Sequence, residues 1–208
     1  MLEAMRKINQ IFLFLLLTVT LHSSVCYAQT NWSSSSGPKG GIIESITKDS
    51  EGTVYIAVLN GGVYKSSNNG NDWIPVNSGF DNLKLYSVAV DSNDVLFAGT
   101  KNGTIYRSSN KGENWSLKLN LNLVGNIIWD IFVTNNNLMF ISTSNDGILK
   151  STDGGNSFTN SSSGLPTETY MQVRENSSGT LFAVSDGGGV FKSTNNGAYW
   201  YEINNGLT

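Results

Sequence analysis

Histidine and cysteine are nearly absent from this chain: each occurs once among 208 residues, as His22 and Cys26. Both fall in a leader-like segment. Arg6 and Lys7 precede an apolar run from Ile11 to Leu17 that continues loosely to Leu21, and Cys26-Tyr27-Ala28 supplies small residues where a signal peptidase cuts. Residues 1–28 therefore read as a signal peptide cleaved after Ala28. The run falls short of the roughly 20 apolar residues of a membrane span, so no membrane span is expected after cleavage. The mature chain, residues 29–208, then has neither His nor Cys. That excludes a Ser-His-Asp or Cys-His nucleophile, a thiolate zinc site and a disulfide framework.

Charge is also scarce, at 14% of residues. Without Arg6, Lys7 and Glu3, the 13 basic and 16 acidic residues become 11 and 15, a net charge of −4 with no basic run. Such a surface suits neither nucleic acid nor an anionic membrane. No segment of the mature chain carries a sustained helical period with caps, which excludes α/β and helical-solenoid folds. Only three prolines are present, whereas glycine is abundant, with 22 copies.

What the chain does contain is one octamer four times. Ser66-Ser67-Asn68-Asn69-Gly70-Asn71-Asp72-Trp73 returns as Ser108 to Trp115 (with Asn110 and Gly112), Ser151 to Phe158 (with Asp153 and Gly155) and Ser193 to Trp200 (with Asn195 and Gly197). The glycines are spaced by 42, 43 and 42 residues, the mark of a repeat architecture. Before each box stands an apolar pair and a cation: Val63-Tyr64-Lys65, Ile105-Tyr106-Arg107, Ile148-Leu149-Lys150 and Val190-Phe191-Lys192. Further upstream lie two more β-rich runs per unit, the earlier being Ile42 to Thr47, Leu85 to Val90, Ile127 to Val133 and Tyr170 to Arg174. Each unit thus reads as four short strands with Gly, Asn, Asp and Ser at the junctions. The expected fold is all-β, a β-propeller of four-stranded antiparallel blades near 41–73, 84–115, 126–158 and 168–200. Within each box, Asn68, Asn110, Asp153 or Asn195 is expected to fold its side-chain oxygen onto backbone N–H groups. The glycine supplies a positive φ, and Trp73, Trp115, Phe158 or Trp200 is expected to bury its ring against its own hairpin.

These octamers resemble Asp-box, or BNR, repeats of the pattern Ser-x-Asp-x-Gly-x-x-Trp, over residues 29–208. Three copies carry Asn in place of Asp, which keeps the acceptor oxygen. Similar repeats occur in sialidases, sortilin-type receptors, xyloglucan-active endoglucanases and photosystem II assembly factors, so the resemblance implies a propeller and no single reaction. A sialidase would need three arginines, a Tyr-Glu pair and an Arg-Ile-Pro motif. The mature chain has only Arg107 and Arg174, and neither Pro38, Pro75 nor Pro166 follows Arg-Ile. A xyloglucanase-like reading needs two facing carboxylates. Most carboxylates sit in turns, leaving Asp130 and Glu44 as the catalytic candidates, with a hydrogen-bonded structural role the more economical reading of both.

For binding, the loops that enter each first strand vary most, and variable loops on a rigid scaffold are where recognition resides. Tyr86, Trp129 and Tyr170 stand beside those loops at the start of the first strands, and Arg174 lies on the last of them. These four are the candidate ligand-binding residues, for a glycan or a protein. No cofactor and no metal is expected: the Asp-rich turns lack the ligand density of a calcium loop. Gln29-Thr30-Asn31-Trp32 reads as a stray final strand ahead of the first blade, and Tyr201 to Leu207 resembles Thr159 to Leu165, the lead-in to another blade. The array is therefore expected to continue with further blades after Thr208, a compact four-bladed closure being the alternative. The combined expectation is a secreted, non-catalytic scaffold or recognition module, with a fragment of a propeller glycoside hydrolase as the alternative.

Overall fold

The second strand of each repeat is apolar at nearly every position, and a strand of that kind is stable only with both faces covered. The computed structural model shows how they are covered. It describes residues 37, 41–121, 126–166 and 171–207. The leader, the stray strand at 29–32 and Tyr170 lie outside the described residues.

Four antiparallel sheets, each of four consecutive strands, follow one another along the chain. Blade 1 consists of β1 (Ile43–Lys48), β2 (Val54–Val58), β3 (Gly62–Ser66) and β4 (Ile74–Pro75). Blade 2 consists of β5 (Leu85–Val90), β6 (Leu96–Thr100), β7 (Thr104–Ser108) and β8 (Ser116–Asn120). Blade 3 has β9 (Ile128–Val133), β10 (Met139–Thr143), β11 (Ile148–Ser151) and β12 (Thr159–Asn160). Blade 4 has β13 (Met171–Glu175), β14 (Leu181–Ser185), β15 (Gly189–Ser193) and β16 (Tyr201–Glu202). The all-β propeller expected from the repeat is the fold observed, with no helix among the described residues.

Three apolar clusters fill the spaces between successive blades. Tyr55, Ala57 and Val63 of blade 1 meet Val88, Leu96, Ala98 and Trp115 of blade 2. Phe97 and Ile105 meet Ile131, Met139 and Ile141 at the next step. Phe140 then meets Val173, Leu181, Ala183 and Trp200. Strands β6 and β10 are buried at every residue because they lie in the two inner blades and serve two clusters each.

In the boxes the Asn or Asp oxygen accepts backbone N–H groups and the glycine has a positive φ, as expected, but the serine and the aromatic do more than expected. The serine was read as part of the pattern only, yet its hydroxyl is the centre of the turn: it accepts from the glycine N–H and donates to the Asn or Asp oxygen. At the second box Gly112 N–H reaches Ser108 Oγ at 3.0 Å and Ser108 Oγ–H reaches Asn110 Oδ1 at 2.9 Å, while Asn114 N–H closes the loop at 3.0 Å. The other three repeat this relay at Ser66, Ser151 and Ser193. The two best-buried tryptophans do not pack on their own hairpins alone. Trp115 is 4% exposed and donates its indole N–H to Val76 O of the preceding blade at 2.7 Å, and its ring stacks on Phe80 at 4.7 Å. Trp200 is 1% exposed and donates to Ser161 O at 2.8 Å. These rings therefore lock a blade to its predecessor. At about 25 cal/mol per Å² and roughly 150–250 Å² per aromatic side chain, each contributes on the order of 4–6 kcal/mol before ordering entropy. Trp73 and Phe158 are half-buried.

The repeating cation also belongs to the joints. Lys65 Nζ donates to the Lys111 carbonyl, and Lys150 Nζ to the Asn196 carbonyl, both at 3.1 Å. Each acceptor is the residue before the box glycine of the following blade.

Candidate functional site

The first strands carry the second set of joints. Ser45 Oγ donates to Val88 O at 3.2 Å and accepts from Val88 N–H, so β1 is tied to β5. Ser87 Oγ donates to Ile128 O at 3.2 Å, tying β5 to β9. At the same place in blade 3 the residue is Asp130, whose Oδ2 accepts the Val173 N–H at 3.2 Å and so ties β9 to β13. Thus Asp130 replaces a serine in a structural series. The replacement brings a charge, and the charge has a partner: Arg174 Nη1 approaches Asp130 Oδ2 at 2.7 Å.

Immediately before each of these tying residues the strand bulges. Ile43 pairs with Val58 and Ser45 with Ala57, leaving Glu44 as the extra residue. Tyr86 is extra between Leu85 and Ser87, and Trp129 between Ile128 and Asp130. A bulge bends the strand and re-aims the side chain at it, a device frequent beside functional sites. Three candidates chosen from sequence therefore share one structural position in three consecutive blades. The rings of Tyr86 and Trp129 meet edge to face, with centroids 5.2 Å apart.

The bulges of β1 and β9 border a cavity of about 220 Å³ lined by Ile43, Glu44, Trp129, Asp130, Gln172 and Arg174, among others, drawn from β1, β9 and β13. A second cavity, about 200 Å³, takes in Val88–Val90 of β5 and Ile131–Val133 of β9. Ser45, Ile46, Asp130 and Arg174 border both. The Asp130 side chain is 8% exposed and that of Arg174 57% exposed, so the pair has one buried and one solvent-facing member. Screening at the exposed end keeps its net contribution near that of a charge-assisted hydrogen bond rather than a buried ion pair. Arg174 is held further by its Nη1–H to Val173 O at 2.5 Å and by the Phe132 ring, 5.6 Å from Cζ. Both polar contacts run through one nitrogen, and Arg174 lines both cavities.

Of the sequence candidates, Glu44, Trp129, Asp130 and Arg174 converge on this cavity, and Tyr86 joins through Trp129. Arg107 does not line it. Gln172 and the two serines escaped the sequence reading because nothing about a glutamine or serine in a polar, Ser-rich chain marks it out. The signal that would have found them is alignment of the first strands, where Ser45, Ser87 and Asp130 fall in phase. As a catalytic carboxylate Asp130 is poorly placed, since its Oδ2 is committed to Val173 N–H and Arg174. Among the described residues no group of three or more His, Cys, Asp or Glu side chains has the arrangement to hold a metal ion. Nor, among them, is any helix long and apolar enough to cross a membrane.

Solved structures with this arrangement are numerous. A GH74 enzyme from Niastella koreensis superposes with a TM-score of 0.59 at 23% identity, covering 76% of this chain and 29% of its own. The extracellular domain of a putative hybrid two component system from B. thetaiotaomicron gives 0.63 at 17% identity, covering 83% and 24%. YCF48 from Cyanidioschyzon merolae gives 0.58 at 16% identity, covering 79% and 56%. The chain thus spans from about a quarter to somewhat over half of these proteins, and the likeness is one of fold. No curated protein matches the sequence. The DUF6242 beta propeller domain matches residues 3–122 and again 68–180, overlapping stretches that together cover most of the repeat array, and the chain belongs to that family.

Proposed function

We propose that this chain is a secreted recognition module of the Asp-box type that binds a glycan at the mouth of the cavity bordered by Glu44, Trp129, Gln172 and Arg174. One observation carries the reading: three blades in succession bulge at the same position, two of the bulges bring Glu44 and Trp129 to one cavity, and the third sets the Tyr86 ring against Trp129. An aromatic face beside a carboxylate, an amide and a half-exposed guanidinium is what a sugar ring calls for, a stacking surface with polar groups at its edge. The fold likeness to GH74 enzymes and to extracellular sensor domains supports a ligand outside the cell, as does the leader-like segment. YCF48 is also known bound to D1 peptide, so a peptide is the competing ligand.

The test is isothermal titration of the full chain against xyloglucan and β-glucan oligosaccharides, with Trp129→Ala and Arg174→Ala alongside. Saccharide binding that weakens at least tenfold in both variants supports the proposal. Binding indifferent to both, or confined to peptides, refutes it. A second reading, a glycoside hydrolase fragment, rests on the GH74 likeness together with the presence of two carboxylates, Glu44 and Asp130, at one cavity. Release of reducing ends from xyloglucan, abolished in Asp130→Asn, would replace the first reading with the second.

A further inference from the structure

We infer that the outer face of blade 4 is a docking site built for one more box-bearing blade. The observation is that every element of the two Trp-bearing joints is present there without its counterpart. In the first joint the segment leaving blade 1 receives the next blade's tryptophan by two carbonyls: Val76 O takes the indole N–H and Ser78 O takes the Trp115 backbone N–H at 2.8 Å. The segment leaving blade 3 does the same for Trp200 with Ser161 O and Ser163 O. The chain approaches so closely that a Cβ on Gly79 would lie 2.0 Å from the Trp115 carbonyl oxygen, and one on Gly164 2.1 Å from that of Trp200.

The segment leaving blade 4 has the same internal wiring. Ile203 N–H binds Val190 O at 2.9 Å as Val76 N–H binds Val63 O, and Asn204 Oδ1 accepts Val190 N–H as Asn77 Oδ1 accepts Val63 N–H, each at 2.7 Å. Ile203, Asn205 and Gly206 are thereby the counterparts of Val76, Ser78 and Gly79. Yet Gly206, at φ +86°, has nothing within 4 Å of where a Cβ would stand. Among the described residues the carbonyls of Ile203 and Asn205 accept no bond, and Lys192, the counterpart of Lys65 and Lys150, has no acceptor.

Burial agrees with wiring. Leu207, in the place of Leu165 at 9% exposed, is 59% exposed. Val184 on the same outer face is 43% exposed, whereas the matching positions of β6 and β10 are buried. The occupant is specified by these groups: an indole to meet the two carbonyls, a backbone carbonyl before a box glycine to meet Lys192, and an apolar strand to cover Val184 and Leu207. Only another blade of this repeat supplies all three in one register.

The experiment extends the full chain after Thr208 with an in-phase second copy of residues 167–208 and follows hydrogen exchange and thermal unfolding. The added blade should unfold with the rest in one transition, and its tryptophan amide should be protected at least a hundredfold. Gly206→Ala and Lys192→Met should each abolish most of that protection in the extended chain, while Lys192→Met changes the melting of the unextended chain only slightly. An added blade that exchanges freely or melts separately overturns the inference, as does protection indifferent to both substitutions. So does dimerisation of the unextended chain that Gly206→Ala abolishes, since the occupant would then be a second copy.

Discussion

Each box serine hydroxyl serves as acceptor and donor at once, which is why the position holds Ser in all four copies and is buried in all four. The Asn or Asp it addresses is a different matter. Only Asp153 titrates. Its carboxylate is held well below the usual range, first by the Ser157 hydroxyl, then by the Ser157 backbone N–H and the Ser151 hydroxyl, with burial opposing. A group whose folded pKa is depressed adds stability above its unfolded value, near 4, and loses it as pH falls through that value toward the folded one. Asp153→Asn should therefore destabilise the chain at pH 7, and the gap should be flat above about pH 5 and shrink steadily below about pH 4. Urea midpoints for the two proteins from pH 7 to pH 2.5 measure this, and a gap that widens in acid would contradict the hydrogen-bond account. The turn of the box was legible in sequence, because turn chemistry is local and the partners of the Asn or Asp oxygen lie within four residues. Its serine relay was not, since a pattern shows that a residue recurs and not which atoms it joins.

At the scale of the strand and its neighbour, the box aromatic was read as closing its own hairpin, and the structure makes Trp115 and Trp200 the ties to the previous blade. Sequence could not separate these roles: both need a ring at the same position, and only the twist and stacking of the blades decide which surface the ring meets. The distinction is testable. Trp200→Phe keeps the apolar ring but removes the indole N–H, leaving the buried Ser161 carbonyl unsatisfied, and should cost about 1–3 kcal/mol. The same change at half-buried Trp73 should cost less. Chemical denaturation of both variants provides the comparison, and equal losses at the two sites would mean that the inter-blade bond carries little. The bulges belong to this scale too. Glu44, Tyr86 and Trp129 were singled out separately, by charge or aromaticity, and their equivalence became visible only from the pairing register.

Across the whole molecule the first strands form a series, Ser45, Ser87 and Asp130, each joining its strand to the next. The third member alone carries a carboxyl group, and Arg174 meets it from the following blade. Asp130→Asn keeps an acceptor for Val173 N–H but removes the charge that holds Arg174, and should destabilise by about 1.5–3 kcal/mol. Asp130→Ser, which restores the residue type of the other blades, should be tolerated better than Asp130→Leu, which removes the acceptor altogether. Thermal melts of the three variants rank them, and a leucine variant as stable as the parent would show that the tie between blades 3 and 4 lies elsewhere.

By itself the sequence determined the fold class, the blade period, the turn geometry and the chemistries that lack their residues, because these follow from local propensity, repetition and composition. The tertiary structure alone decided which residues meet. Contacts between residues about forty positions apart depend on how the sheets stack, and no periodicity encodes them. That stacking gathered Glu44, Trp129, Asp130 and Arg174 about one cavity, and turned two of the four hairpin clasps, those of Trp115 and Trp200, into joints between blades.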